Sequence, residues 1–211
     1  MKYEPKSITK HHGLIYDALS EEYEEKVGLR VKKTTEIIDK VRPFFKANGH
    51  ILDVGCGVGI TTEKLLEKGF QVTAVDISPK MLAYTQKRNP RAHCVLGDFL
   101  TLDFDTQFDG ILDFAFLHLF PKETAMEILQ KNHSILCPGG VFFIGTTVSD
   151  KNSEGWEEKK DYNKKHKRYR KHWKEDELKE ALQKVGFEIL KVDFNIGDSN
   201  KKWINIIARK Q

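Results

Sequence analysis

Residues 50–59 read HILDVGCGVG, an apolar run that ends in three glycines at alternate positions. Ile51, Leu52 and Val54 leave no regular polar face, which is the pattern of a strand covered on both sides, as in a parallel sheet packed between helix layers. Gly55, Gly57 and Gly59 can adopt positive φ and bring bare backbone against a ligand. A helix expected to start at residue 60 turns its unpaired N–H groups toward a carboxylate or phosphate. In open α/β sheets, ligands bind beyond the carboxyl ends of the strands, where this loop falls.

Strand and helix alternate outward from the loop. Helices are expected over 10–25, with Ile15, Leu19 and Tyr23 spaced by four, and over 31–42, ending before Pro43. After HILDVG come a helix over 60–68, the strand QVTAVDI and a helix over 79–88 with Ser78 as N-cap and Pro79 in its first turn. The strands AHCVLGD and FDGILDFAFL, a helix from about Pro121 to Leu136, the turn CPGG and the strand VFFIGTTV follow. A helix carrying Leu178, Leu182 and Val185 leads to FEILKVDF and WINIIARK, joined by too few residues for a crossover helix and so expected to pair antiparallel. The fold class is α/β: a doubly wound, mainly parallel sheet with helices on both faces and an antiparallel end.

At 211 residues, 39% apolar and 31% charged, the chain suits one domain. No apolar run reaches the ~20 residues of a membrane span, and the best candidate, 111–121, contains Asp113 and His118. The N-terminus lacks the apolar stretch of a secretory signal, and Cys56, Cys94 and Cys137 form neither a disulfide framework nor a metal pattern, so a cytoplasmic location and no metal are expected. A net charge of +4 is too mild to imply nucleic-acid binding, but residues 159–174, KKDYNKKHKRYRKHWK, hold nine Lys or Arg against one Asp.

The acids near the loop define the expected ligand. Asp76, seventeen residues after Gly59 at the end of the second strand, is placed to accept from two ribose hydroxyls. The glycine spacing is G-x-G-x-G, and Ile60 occupies the position that a dinucleotide fingerprint requires to be small, which weakens NAD. Asp53 would sit badly beside a pyrophosphate but could hold an ammonium. Asp98 can accept from an exocyclic amine such as that of adenine, with Phe99 beside the base. An ammonium, a ribose and an adenine without pyrophosphate describe S-adenosylmethionine.

With LDVGCGVG, AVDISPKML, GDFLTLDF, FDGILDFAFLHLF, ILCPGGVFFI, DELKEALQKVGFEI and WINIIARK in order over about residues 14–210, the chain resembles the class I S-adenosylmethionine-dependent methyltransferases. The resemblance implies a Rossmann-like seven-stranded sheet of order 3-2-1-4-5-7-6 with strand 7 antiparallel. It also implies cofactor contacts from Asp53, Gly55, Cys56, Gly57 and Gly59 around the methionine part and from Asp76 and Ile77 at the ribose. Gly97, Asp98 and Phe99 are implied at the adenine, Met81 on the cofactor side, and Tyr16 and Tyr23 either in the core or in a lid. The parts are a helical lid (1–46), a cofactor-binding core (50–148), a basic substrate-side insertion (149–173) and a C-terminal helix and hairpin (174–211).

Asp113 departs from the resemblance, falling where relatives carry a small or uncharged residue; it reads as a solvated strand-end acid or as an orienting group. His118 reads as a packed or capping histidine or as a general base, and these two are the catalytic candidates. The basic segment reads as a solvated loop or as a substrate-binding element, with Arg168, Tyr169, His172 and Trp173 as the substrate-side candidates. A small, anionic acceptor is the first expectation. An RNA methyltransferase using residues 159–174, with Lys164, Lys165 and Lys167 on phosphates and Tyr162, Tyr169 and Trp173 among the bases, is the second. The chain reads DFAF after the fourth strand, where amino-group methylation of bases would call for an N,N-P-P-[YF] type of motif, which counts against base methylation. A third reading is a non-catalytic, cofactor-binding partner subunit.

Overall fold

A computed structural model of the chain describes residues 5–159, 166–196 and 201–211. Helices α1 (Pro5–Glu25) and α2 (Val27–Val41) precede β1 (His50–Val54). Then come α3 (Ile60–Glu67), β2 (Gln71–Asp76), α4 (Pro79–Arg88), β3 (His93–Leu96) and β4 (Phe108–Phe114). A 3₁₀ turn at Leu117–Leu119 leads to α5 (Lys122–Ile135) and β5 (Leu136–Thr147). The chain continues through β6 (Ser153–Lys159), β7 (His166–His172), α6 (Glu175–Val185), β8 (Phe187–Ile196) and β9 (Lys202–Lys210).

Seven strands form one sheet in the order β3-β2-β1-β4-β5-β9-β8. The first five are parallel, and β9 runs antiparallel to both β5 and β8. This is the expected order, with β8 and β9 in the places of strands 6 and 7 because β6 and β7 form a separate two-stranded sheet.

Burial explains the unbroken apolar runs. Leu52, Ile111, Phe142 and Ile206 pack on one face against Ile128 and Leu129 of α5 and Leu178 and Leu182 of α6. Their neighbours Ile51, Leu112, Phe143 and Ile207 pack on the other face against Ile38 and Val41 of α2 and Leu65 of α3. Successive side chains of a strand alternate faces, so a strand covered on both sides is apolar at every position.

Three local features differ from the sequence reading. Residues 137–140, CPGG, lie within β5 rather than in a turn ahead of it: Leu136 pairs with Phe108 and Val141 with Gly110, so the Pro-Gly-Gly bends form a bulge. The fourth strand ends at Phe114 rather than Leu117, because Ala115 takes the left-handed conformation (φ 64°) and the Leu117 N–H turns back to donate to Asp113 Oδ1 at 3.0 Å. The segment read as a solvated basic loop is, over His166–His172, a strand paired with Ser153–Lys159. Glu154, Glu157 and Glu158 stand opposite Lys171, Arg168 and Lys167 in the register of the hairpin, and Glu157 pairs with His172 at 2.5 Å. Tyr162, Lys164 and Lys165 lie outside the described residues.

The hairpin is tied to the sheet by buried groups. Val148 bridges Trp173, Arg170 Nη2 donates to Thr147 Oγ1 at 2.6 Å, and the Lys171 ammonium, 1% exposed, pairs with Glu177 Oε2 of α6 at 2.9 Å.

Beneath the hairpin the sheet is tightly filled: a Cβ on Gly145 of β5 would stand 2.4 Å from Phe114 Cδ2. Gly145→Ala is therefore expected to lower the unfolding free energy by about 1–3 kcal/mol, measured by urea denaturation, as overpacking does in a filled core.

Candidate active site

The loop after β1 hangs from the end of β2. The Gly55 and Cys56 N–H groups both donate to the Val75 carbonyl, at 2.9 and 3.0 Å, and the Gly57 N–H donates to Asp76 Oδ2 at 2.8 Å. Helix α4 holds the loop from the other side: Thr85 Oγ1 donates to Gly57 O (2.7 Å), Arg88 Nε to Val58 O (3.1 Å) and Asn89 Nδ2 to Gly59 O (2.9 Å). Gly55, Gly57 and Gly59 all sit at positive φ, 67°, 58° and 82°. A Cβ on Gly55 would approach the Phe116 ring to 2.7 Å and one on Gly59 would approach Asn89 Nδ2 to 2.6 Å, whereas one on Gly57 would meet nothing within 4 Å. Protein packing requires the first and third glycines, and the second faces open space, a cradle that a ligand can fill.

Three carboxylates stand at the ends of the parallel strands around this cradle. Asp53 Oδ2 accepts from Thr62 Oγ1 at 2.6 Å, and burial raises its pKa to about 7. Asp76 Oδ1 accepts from the Ser78 N–H at 2.9 Å; burial raises its pKa to about 6 against the pull of its backbone hydrogen bonds. Asp113 is fully buried with its pKa raised to about 7 by desolvation, and its Oδ2 has no hydrogen-bond partner among the described residues. The solvated-acid reading of Asp113 is thereby corrected. Cys56 is buried with its thiol pushed well up by burial, and its sulfur lies 3.6 Å from Thr85 Oγ1.

At the third strand, Asp98 Oδ1 accepts from the Leu100 N–H at 3.0 Å. Phe99, 3% exposed, packs beside Phe104 and Phe116, and Gly97 lies against Leu102. Met81 is buried between Val58 and Ile60.

Helix α1 roofs the site. Gly13 lets it rest on Ile77, whose Cγ1 would be 3.5 Å from a Cβ there. Asp17 Oδ1 accepts from the Ser78 hydroxyl and from the Lys80 N–H at the start of α4, and Glu24 pairs with Arg88 at 2.5 Å. Tyr16 and Tyr23 meet edge to face at 5.9 Å and pack over Val58, Ile60 and Met81. Toward the hairpin, His11 Nε2 donates to Lys167 O (2.9 Å), the Tyr169 N–H donates to His12 Nε2 (3.2 Å) and Arg168 Nη1 donates to Tyr16 Oη (3.3 Å).

The remaining candidates divide. His118 is buried in the 3₁₀ turn, with Nδ1 2.9 Å from Thr146 Oγ1. Arg168 reaches the roof, whereas Trp173 is fully buried in the main core and Tyr169 packs edge-on against Trp156. His172 Nε2 sits 2.5 Å from Glu157 Oε1 on the hairpin. Trp173 and Tyr169 thus stabilise the fold, since apolar burial outweighs exposure for such large rings. Thr62, Thr85, Asn89, Asp17, His12 and Arg170 escaped the sequence reading. Thr85 and Asn89, four apart on α4, could have been found as a polar stripe facing the glycine loop.

The glycines separate by substitution. Gly57→Ala is expected to cost about 1 kcal/mol, the left-handed backbone penalty alone, and Gly59→Ala about 2–4 kcal/mol because overpacking adds to it, both by urea unfolding. Asp113 gives a pH signature. A carboxyl whose folded pKa lies above its unfolded value holds its proton longer in the native state, so its contribution to stability falls as pH rises through that interval. Asp113→Asn lacks this term, and its stability relative to the unsubstituted protein is expected to rise between about pH 4 and 7.

Comparison with known proteins agrees with this geometry. The methyltransferase domain family matches residues 51–140. A malonyl-[acyl-carrier protein] O-methyltransferase of Halorhodospira halophila is 29% identical over 137 residues, 62% of this chain and 46% of that protein. A cypemycin N-terminal methyltransferase of a Streptomyces species is 36% identical over 101 residues, 46% of this chain and 41% of that protein. The chain spans about half the length of the curated relatives it matches. The structure of a 1,6-didemethyltoxoflavin-N1-methyltransferase from Burkholderia thailandensis, bound to 1,6-didemethyltoxoflavin and S-adenosylhomocysteine, superposes with a TM-score of 0.79 at 22% identity, covering 100% of this chain and 92% of that one. Residues 51–140 thus match a methyltransferase domain, and the seven-stranded sheet has the fold of the Burkholderia thailandensis methyltransferase structure.

Proposed function

We propose that the protein is an enzyme that transfers the methyl group of S-adenosylmethionine to a small-molecule acceptor. The observation that carries this reading is the open cradle at Gly57 with the Asp53 and Asp76 carboxylates at the neighbouring strand ends. Buried acids on both sides suit an ammonium and a ribose diol and oppose a pyrophosphate. Asp53 would receive the ammonium, whose charge would draw the Asp53 pKa back down. Asp76 and Ile77 would hold the ribose, and Gly97, Asp98 and Phe99 would close around the adenine, with Tyr16 and Tyr23 above. When bound, S-adenosylmethionine supplies an electrophilic methyl group on a sulfonium, and direct displacement leaves S-adenosylhomocysteine. The chain's own part is to align the acceptor and exclude water, which supplies much of a rate through positioning. His118, buried beside Thr146, is the group proposed to take a proton where the acceptor must lose one.

The finer reading is an anionic acceptor, supported by two buried guanidinium groups on β7, Arg168 directed to Tyr16 and Arg170 to Thr147. The small planar ligand of the Burkholderia thailandensis structure supports an acceptor of that size. An RNA acceptor draws little support from β7, where Arg168, Arg170 and Lys171 are 7%, 4% and 1% exposed and only Lys167 among the strand's Lys and Arg residues faces solvent. The non-catalytic reading predicts binding of cofactor with no turnover of any acceptor.

Calorimetric titration with S-adenosylhomocysteine, with NAD as the control, tests the assignment. Micromolar binding of the first alone is expected, and its absence would remove the methyltransferase reading. Asp76→Ala is expected to weaken that binding by about 1.5–3 kcal/mol, the range for hydrogen bonds to a charged group; unchanged affinity would remove Asp76 from the ribose.

A further inference from the structure

His12 lies on α1 one turn before Tyr16 and is 3% exposed. Its Nε2 accepts from the Tyr169 backbone N–H at 3.2 Å. A ring nitrogen that accepts carries no proton, so in the neutral imidazole the proton is on Nδ1. Burial, the His11 ring and the Arg168 guanidinium all disfavour the charged form and lower the pKa to about 3. The Nδ1–H is buried and has no hydrogen-bond partner among the described residues. Buried donors are almost always satisfied, so this one marks a place where another group belongs.

The ring's surroundings indicate what that group is. Tyr16, Phe120 and Trp156 stand 6.3, 5.9 and 6.4 Å from the His12 ring centre, the first two edge to face. A flat ring fits such walls by stacking and edge contacts. The Phe120 ring in turn meets that of Phe116 at 4.8 Å, and Phe116 covers Gly55, so the aromatic box is continuous with the glycine loop. The Arg168 guanidinium, close enough to act on His12 and donating to Tyr16, favours an oxygen bearing negative charge.

We infer that His12 binds the acceptor: its Nδ1–H donates to a ring carbonyl or enolate oxygen of a planar heteroaromatic substrate seated among Tyr16, Phe120 and Trp156. This rests on the methyltransferase reading and assigns that enzyme's substrate class and one residue that selects it. Tyr169 acts through its backbone, fixing the tautomer that makes Nδ1 a donor.

The test is calorimetric titration of the protein saturated with S-adenosylhomocysteine, using lumazine, xanthine and alloxazine as probes. His12→Gln puts an amide oxygen where Nε2 lies, keeping the bond from Tyr169 but removing the donor; His12→Asn puts an amide nitrogen near the place of Nδ1. The unsubstituted protein is expected to bind at least one probe. His12→Gln should weaken it about tenfold or more, and His12→Asn should retain most of the affinity, with S-adenosylhomocysteine binding unchanged in both. Equal probe binding by His12→Gln overturns the inference. So does loss of S-adenosylhomocysteine affinity in that variant, which would assign His12 a structural role, or failure of the saturated unsubstituted protein to bind any probe. Failure of the unsubstituted protein to bind S-adenosylhomocysteine is a separate outcome and overturns the methyltransferase reading itself.

Discussion

The carbonyl of Val75 receives two backbone N–H groups, from Gly55 and Cys56, and the position of everything above the sheet follows from that pair of bonds. They fold the end of β1 across the end of β2, which forces the chain through left-handed turns before α3 can begin. The loop so placed offers its carbonyls to Thr85, Arg88 and Asn89, and this fixes α4. Helix α4 in turn presents its N-terminus to Asp17 and Arg88 to Glu24, and this fixes α1. A carboxylate at a helix start is favoured by the unpaired N–H groups and the dipole there.

The acids of the site are buried beside an open cradle. Asp53, Asp76 and Asp113 belong to three adjacent parallel strands, and burial alone would make each costly to ionise. Thr62 and the backbone of the glycine loop offset part of that cost for the first two. Perturbed acids gathered at one end of a sheet are what makes this end of the molecule the candidate site.

The sheet was legible from the sequence because its signals are local. Unbroken apolar strands between amphipathic helices imply a doubly covered sheet, and the short connection before WINIIARK implies its antiparallel end. Asp53, Asp76 and the three glycines were legible for the same reason, each lying at a strand end that the sequence marks. The hairpin was not. Residues 166–172 look like a solvated basic run when read alone, and it is tertiary partners, Tyr16 for Arg168 and Asn152 and Glu177 for Lys171, that compensate the burial of these cations. The burial of Asp113 was not legible, because a strand-end acid is ordinarily wet and nothing local reveals that Leu117 folds back over it. His12 gave no signal, since its partner is a backbone amide 157 residues away.

Helix α1 makes its polar contacts in sequence order: His11, His12 and Tyr16 with the hairpin, then Asp17 and Glu24 with α4. One continuous helix is therefore fastened to the hairpin by its first half and to α4 by its second. A rigid rod anchored at both ends cannot lift from one without straining the other. Displacing either half of α1 would therefore disturb what the other half holds, the β6–β7 hairpin on one side and α4 on the other.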